Sequence, residues 1–248
     1  MPAPVCVGQA DGAKVVTNTP GKDLDVRRAI QAAVDVKAID QRANDGKGSP
    51  ATTLFDKSFP WDPGVAGPKY DVEEAKRLVS AAKAKGWDGK IRVLCNNTPS
   101  RQNFTLALES MLKAVGIDVQ TTFVNDVQVV VNEVIVNKNF DMACWGLTAS
   151  PDDGTQAQLD SFLRSASGSN RVGYKSAAME AALADLKKAN TAAARTAAYK
   201  KIAEQWNADA PSVAIASLVE RLTWNKTVHG LVPTALTNVL FDKAWIEK

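Results

Sequence analysis

The sequence predicts an α/β fold whose core is a mainly parallel βαβαβ sheet flanked by helices. Three observations carry that prediction. Residues 91–95 are a short β-rich run. A helical stripe of Phe104, Ala107, Leu108, Met111, Leu112 and Val115 follows and is closed by Gly116. Strand-like runs then come at 117–123 and 140–147. Strand, helix and strand in alternation feed parallel neighbours through right-handed crossovers. The chain has 248 residues, 45% hydrophobic and 23% charged, enough for one large domain or two small ones and unlike a wholly disordered chain.

In chain order, the first 20 residues are rich in Pro and Gly, and only 14–17 reads as strand. Residues 25–42 predict one amphipathic helix, because Val26, Ala29, Ile30, Ala33 and Val34 repeat at helical spacing. The run 44–69 predicts a long packed loop holding Phe55, Phe59 and Trp61. Asp71 with Glu74 resembles a capping box, and Gly86 supplies a left-handed stop to the helix between them. After the second strand, Val127, Val130, Val131, Val134 and Ile135 sit at helical spacing, although their valines suit a strand equally well. A loop at 148–155 precedes helices at 176–190 and 191–209, the second ended by Pro211. A strand is expected at 213–219, then an irregular tail with strand-like pieces near 228–232 and 239–241.

Composition excludes several function classes. Thirty Lys and Arg against 27 Asp and Glu give +3, too mild for a nucleic-acid footprint. No apolar run is long enough to cross a bilayer. The one histidine, His229, reads as a turn residue and cannot supply both a base and a ligand set. P-loop, GxGxxG, GxSxG and HExxH patterns are all missing, so neither a cofactor nor a metal is expected. Asp152 and Asp153 are adjacent in the loop after the third strand, where carboxylates either cap a helix or contact a ligand. Three cysteines, Cys6, Cys95 and Cys144, show no metal spacing; Cys95 and Cys144 end strands that the topology sets side by side, as buried reduced thiols. Trp145 ends the third strand at the carboxyl edge, where α/β sheets receive ligands.

Several stretches in order resemble the extracellular solute-binding proteins of the peptide and nickel class of ABC importers. They are DVRRAIQAAVDVKAI (25–39), YDVEEAKRLVSAA (70–82), FDMACWGLTASPDDG (140–154), NRVGYKSAAMEAAL (170–183), ARTAAYKKIAEQWNADAPSVAI (194–215) and WNKTVHGL (224–231). The resemblance implies a type II periplasmic-binding-protein lobe with hinge strands at both ends, part of a two-lobed protein that encloses a ligand. On this reading the chain matches the C-terminal part of such a protein. Residues 1–20 would be a hinge segment and the remnant of a first lobe, 21–220 the ligand-binding lobe, and 221–248 a segment returning toward the hinge.

The same resemblance assigns ligand contacts to Trp145, Leu147, Thr148 and Ser150, with Asn97 and Arg101 as candidates at the end of the first strand. Two departures matter. Ser150 stands where peptide binders carry an aspartate for the α-amino group, and a neutral hydroxyl makes no charge-assisted bond to an ammonium. The loop 96–101 is shorter than in the dipeptide binders. The implied protein is a non-catalytic, monomeric capture subunit, extracytoplasmic at the periplasm or cell surface, with or without a lipid anchor. Its partners would be a peptide or small polar solute and a membrane permease, with no nucleic acid and no membrane contact of its own. Two alternatives stay open: a small α/β enzyme using Asp152 and Asp153, and a non-catalytic interaction module.

Overall fold

The computed structural model describes residues 5–7, 20–145, 154–217, 223–234 and 239–247. In chain order the elements are β1 (Val5–Val7), α1 (Leu24–Ala33), α2 (Val36–Asn44), α3 (Val72–Ala84), β2 (Lys90–Asn96), α4 (Pro99–Ala114) and β3 (Asp118–Val124). Then come α5 (Val127–Val131), which runs on as a π-helical turn Asn132–Asn137, β4 (Met142–Cys144), α6 (Gly154–Leu163), α7 (Ala177–Lys188) and α8 (Ala192–Asp209). Five two-residue strands close the chain: β5 (Ser212–Val213), β6 (Val228–His229), β7 (Val232–Pro233), β8 (Val239–Leu240) and β9 (Trp245–Ile246).

The main sheet has the order β3-β2-β4-β1-β5. β2 is parallel to both β3 and β4, so the expected βαβαβ unit is present, with the third strand returning beside the first. β1 lies antiparallel to β4 and β5, which makes the other half of the sheet antiparallel. That strand is at 5–7; the strand read at 14–17 falls outside the described residues.

Side-chain alternation along β2 divides the interior into two cores. Ile91, Val93 and Cys95 face a core built with Val26 and Ile30 of α1, Val79 of α3 and Leu108 of α4. Leu94 and Ala143 face the opposite core, filled by Leu159 of α6, Leu183 of α7, and Tyr199 and Trp206 of α8. The sheet is thus covered by helices on both faces, as parallel strands require. The loop aromatics Phe55 and Phe59 are buried, stacked 4.9 Å apart and set edge-on to Tyr199. This is the packed loop that the sequence predicts at 44–69.

Several boundaries differ from the sequence reading for local reasons. The helix expected at 25–42 is two helices. Val34 is extended, and Asp35 caps α2 by accepting from the amides of Lys37 and Ala38. The same five apolar residues are still buried, so the stripe was right and the break invisible to it. Asp71 accepts from the Glu74 amide, but the Glu74 carboxylate pairs with Arg77, leaving half a capping box. Gly86 and Gly116 follow α3 and α4 with φ of 102° and 90°, conformations that cost a residue with a Cβ. The valine-rich 127–137 is helical throughout. α6 occupies residues that the sequence reading left as loop and connection. The strand expected at 213–219 shrinks to β5, with Ala216 bridging Pro50 and 218–222 outside the described residues.

Two side-chain bonds pin β4 to β2. Asp141, 5% exposed, accepts from the Arg92 amide at 2.8 Å and from both Nε and Nη2 of Arg92 at 3.2 Å. At the other end Cys95 and Cys144 form a disulfide with Cα atoms 5.0 Å apart. The two cysteines are neighbours on adjacent strands as expected, but they are bonded rather than reduced. The expectation of free thiols rested on burial alone, and a 5.0 Å Cα separation lies within disulfide range.

Two stability outcomes are expected. Asp141→Ala removes the acceptor from one backbone amide and one guanidinium. Because the Arg92 side chain is 37% exposed and partly screened, the expected loss is about 2 kcal/mol. Urea unfolding should give a lower midpoint at unchanged slope, and an unmoved midpoint would remove the pair from the account of stability. Reducing the disulfide frees a loop with a sequence separation of 49, for which chain entropy gives about 4 kcal/mol. Thermal unfolding with and without a dithiol reads this directly.

Candidate functional site

The carboxyl ends of β2 and β4 lie side by side, and the residues that leave them are the described part of the candidate site. From β2 the chain passes through Asn97 and Thr98 into α4. Thr98 is the N-cap, its hydroxyl accepting from the Arg101 amide, and Pro99 takes the first helical position, where its missing N–H costs nothing. From β4 the chain passes to Trp145. Leu147, Thr148 and Ser150, and the acidic pair Asp152 and Asp153, lie outside the described residues.

Asn97 is exposed, and its amide groups are engaged within the protein. Its backbone amide donates to the Val124 carbonyl, continuing the β2–β3 ladder. Its Nδ2 donates to Asn125 Oδ1 at 2.8 Å, and its Oδ1 accepts from Gln102 Nε2. The side chain therefore braces the strand ends.

Arg101 is placed differently. It lies in the first turn of α4 and lines a shallow open depression with Val36, Ile39, Asp40, Asn44 and Phe104. Its Nη1 is buried and has no hydrogen-bond partner among the described residues. Burial holds its pKa below the usual guanidinium range, with no carboxylate acting on it to offset the desolvation. Asp40 lines the same depression and is 6% exposed, but its Oδ1 accepts from Asn44 Nδ2 at 2.9 Å. A cation desolvated without a counter-charge is unfavourable in the free protein and is relieved by an incoming anionic group.

Trp145 is half-buried and packs with Val124 against the core beneath α6, α7 and α8. The Arg171 guanidinium carbon lies 4.8 Å from the centre of its ring, a cation–π contact. Arg171 and Asp40 were not singled out from sequence. Arg171 stands in an aperiodic turn region, and Asp40 occupies what reads as the polar face of an amphipathic helix, so neither emitted a signal. Among the described residues no cluster of His, Cys, Asp or Glu is placed to hold a metal, and no helix is long and apolar enough to cross a membrane.

Residues 12–170 match the family described as bacterial extracellular solute-binding proteins, family 5, middle region. The chain belongs to that family. It is 30% identical over 199 residues to protein XP55 of Streptomyces lividans, covering 75% of this chain and 36% of that protein. It is 27% identical over 212 residues to the oligopeptide-binding protein AppA of Bacillus subtilis, covering 77% of this chain and 38% of AppA. The solved structure of that AppA, in complex with a nonapeptide, superposes with a TM-score of 0.77 at 20% identity, over 99% of this chain and 50% of AppA. The substrate-binding domain of an oligopeptide ABC transporter from Bacillus anthracis gives 0.81 at 18% identity, over 100% of this chain and 50% of that one. The fold is that of a type II periplasmic binding protein. This family-5 chain spans well under half the length of the two curated relatives named here.

The unpaired Arg101 yields an opposed pair of outcomes. Arg101→Met keeps the apolar stem and removes the desolvated charge, so thermal stability should stay equal or rise, by up to about 1 kcal/mol. A destabilised Arg101→Met protein would mean that the guanidinium is satisfied in solution.

Proposed function

We propose that this chain is the ligand-contacting lobe of the capture subunit of an ABC importer, and that its ligand is a peptide or another small polar solute bearing an anionic group. The observation that carries the reading is the buried Nη1 of Arg101, without a hydrogen-bond partner among the described residues, beside the carboxyl edge of a parallel sheet in a chain of the solute-binding family. The names of two relatives, both oligopeptide binders, support the peptide class. On this reading Arg101 receives a carboxylate, Trp145 offers an apolar wall, and Leu147, Thr148 and Ser150 add contacts from the following segment, while Asn97 holds the strand ends.

The same proposal divides the chain into a hinge segment at 1–20, the lobe at 21–220 and a returning segment at 221–248. The protein works without catalysis, outside the cytoplasm, as a monomer that hands its ligand to a permease. The disulfide fits an oxidising compartment, where such bonds persist.

A cleft with one wall leaves much of a ligand in water, where each hydrogen bond is worth about 0.5–1.5 kcal/mol net. A few such contacts barely offset the ~4 kcal/mol or more lost in association. The chain alone is therefore expected to bind a pool of nonapeptides at about millimolar strength, and a two-lobed form carrying it far more tightly. Calorimetry on both forms decides: equal micromolar affinities overturn the one-walled cleft. Hydrolysis of the pool at enzyme-like rates overturns the capture reading itself.

A further inference from the structure

The disulfide lies between the two described residues that the proposed function assigns to the ligand. On one side, Thr105 Oγ1 is 3.3 Å from Cys95 Sγ and donates to the Arg101 carbonyl at 2.7 Å. Thr105 is 1% exposed, so this link between the bond and the first turn of α4 is a buried one. On the other side, Trp145 is the residue directly after Cys144.

Backbone pairing alone holds that junction weakly. β4 has three residues, and its ladder to β2 has two register pairs, Val93 with Met142 and Leu94 with Ala143. β1 adds a pairing of Val5 with Cys144, but Trp145 lies beyond both ladders. What fixes it besides is its packing with Val124 against the core under α6 to α8, the Arg171 guanidinium over its ring and the covalent link one residue earlier, of which only the last ties its backbone to β2. The sulfurs are poorly placed to sense redox conditions, since Cys95 is 0% and Cys144 6% exposed.

We propose that Cys95 and Cys144 are positioning residues of the ligand site: their bond sets Trp145 against the strand end that carries Arg101. The inference rests on the proposed ligand edge, but its test needs no ligand, so it can fail while the capture reading stands. Opening the bond by a dithiol gives two thiols and a cyclic disulfide, with two electrons and two protons supplied by the reductant.

The test is fluorine NMR of the protein labelled with 5-fluorotryptophan, the Trp145 line being identified by its loss in Trp145→Phe. With the bond closed, the line is expected to be single and narrow. In Cys95→Ala/Cys144→Ala, or in the reduced wild type, it should broaden about twofold or split as the ring samples several positions. Asp141→Ala, which weakens the opposite end of β4, should lower stability and leave the line unchanged. An unchanged Trp145 line in the folded, unbonded protein overturns the proposal, as does equal broadening in Asp141→Ala. Should both unbonded forms unfold, Arg171→Ala with the disulfide intact decides: a narrow line upholds the bond as the positioning element, and a broad one assigns that role to Arg171.

Discussion

The centre of the sheet is a three-residue strand held in place by side chains more than by its own ladder. Four consecutive steps along β2 and β4 show how. Arg92 meets Asp141 in an ion pair, Val93 meets Met142 and Leu94 meets Ala143 in register, and Cys95 meets Cys144 in a covalent bond. A parallel pairing so short would slip if left to backbone bonds, and a slip by one residue would exchange the two faces. Met142 and Cys144 would then leave the core under α1, α3 and α4, and Ala143 the core under α6 to α8. The two end bonds prevent this, and the flanking helices pack on faces that those bonds define.

What the sequence disclosed of this arrangement was whatever depends on local periodicity. The strands at 90–96 and 118–124 and the crossover helix between them were legible because β-branched runs, a helical stripe and a glycine stop all agreed. The break between α1 and α2 was not, since one apolar stripe runs through both helices and only the capping carboxylate of Asp35 marks the division. α6 was missed because its buried Thr155, Leu159, Phe162 and Leu163 give a weak stripe behind a loop-like start. Two-residue strands such as β5 are too short to show alternation at all. Topology brought the cysteines together on paper, but burial was taken to imply free thiols, whereas neighbours at this separation are equally able to bond.

The candidate site divides along the same line. Arg101 and Trp145 could be named because they follow strands whose carboxyl ends were predictable. Their surroundings could not, because Asp40 comes from α2 and Arg171 from a turn far along the chain. Nη1 of Arg101 is one of several buried side-chain atoms without a hydrogen-bond partner among the described residues, with Thr121 Oγ1, Glu133 Oε2, Arg164 Nε and Asn207 Oδ1. Other buried polar groups, such as Asn170, which donates to the Tyr174 carbonyl at 2.6 Å and accepts from its amide, are met by backbone partners. At Arg101 the unmet atom belongs to a cation that burial disfavours.

The disulfide also constrains how the chain can mature. Cys95 and Cys144 are separated by 49 positions, so their bond closes a loop that holds α4, β3 and α5. Once formed, it keeps the parallel register of β2 and β4 while that loop folds, and so shortens the search that a crossover between parallel strands imposes.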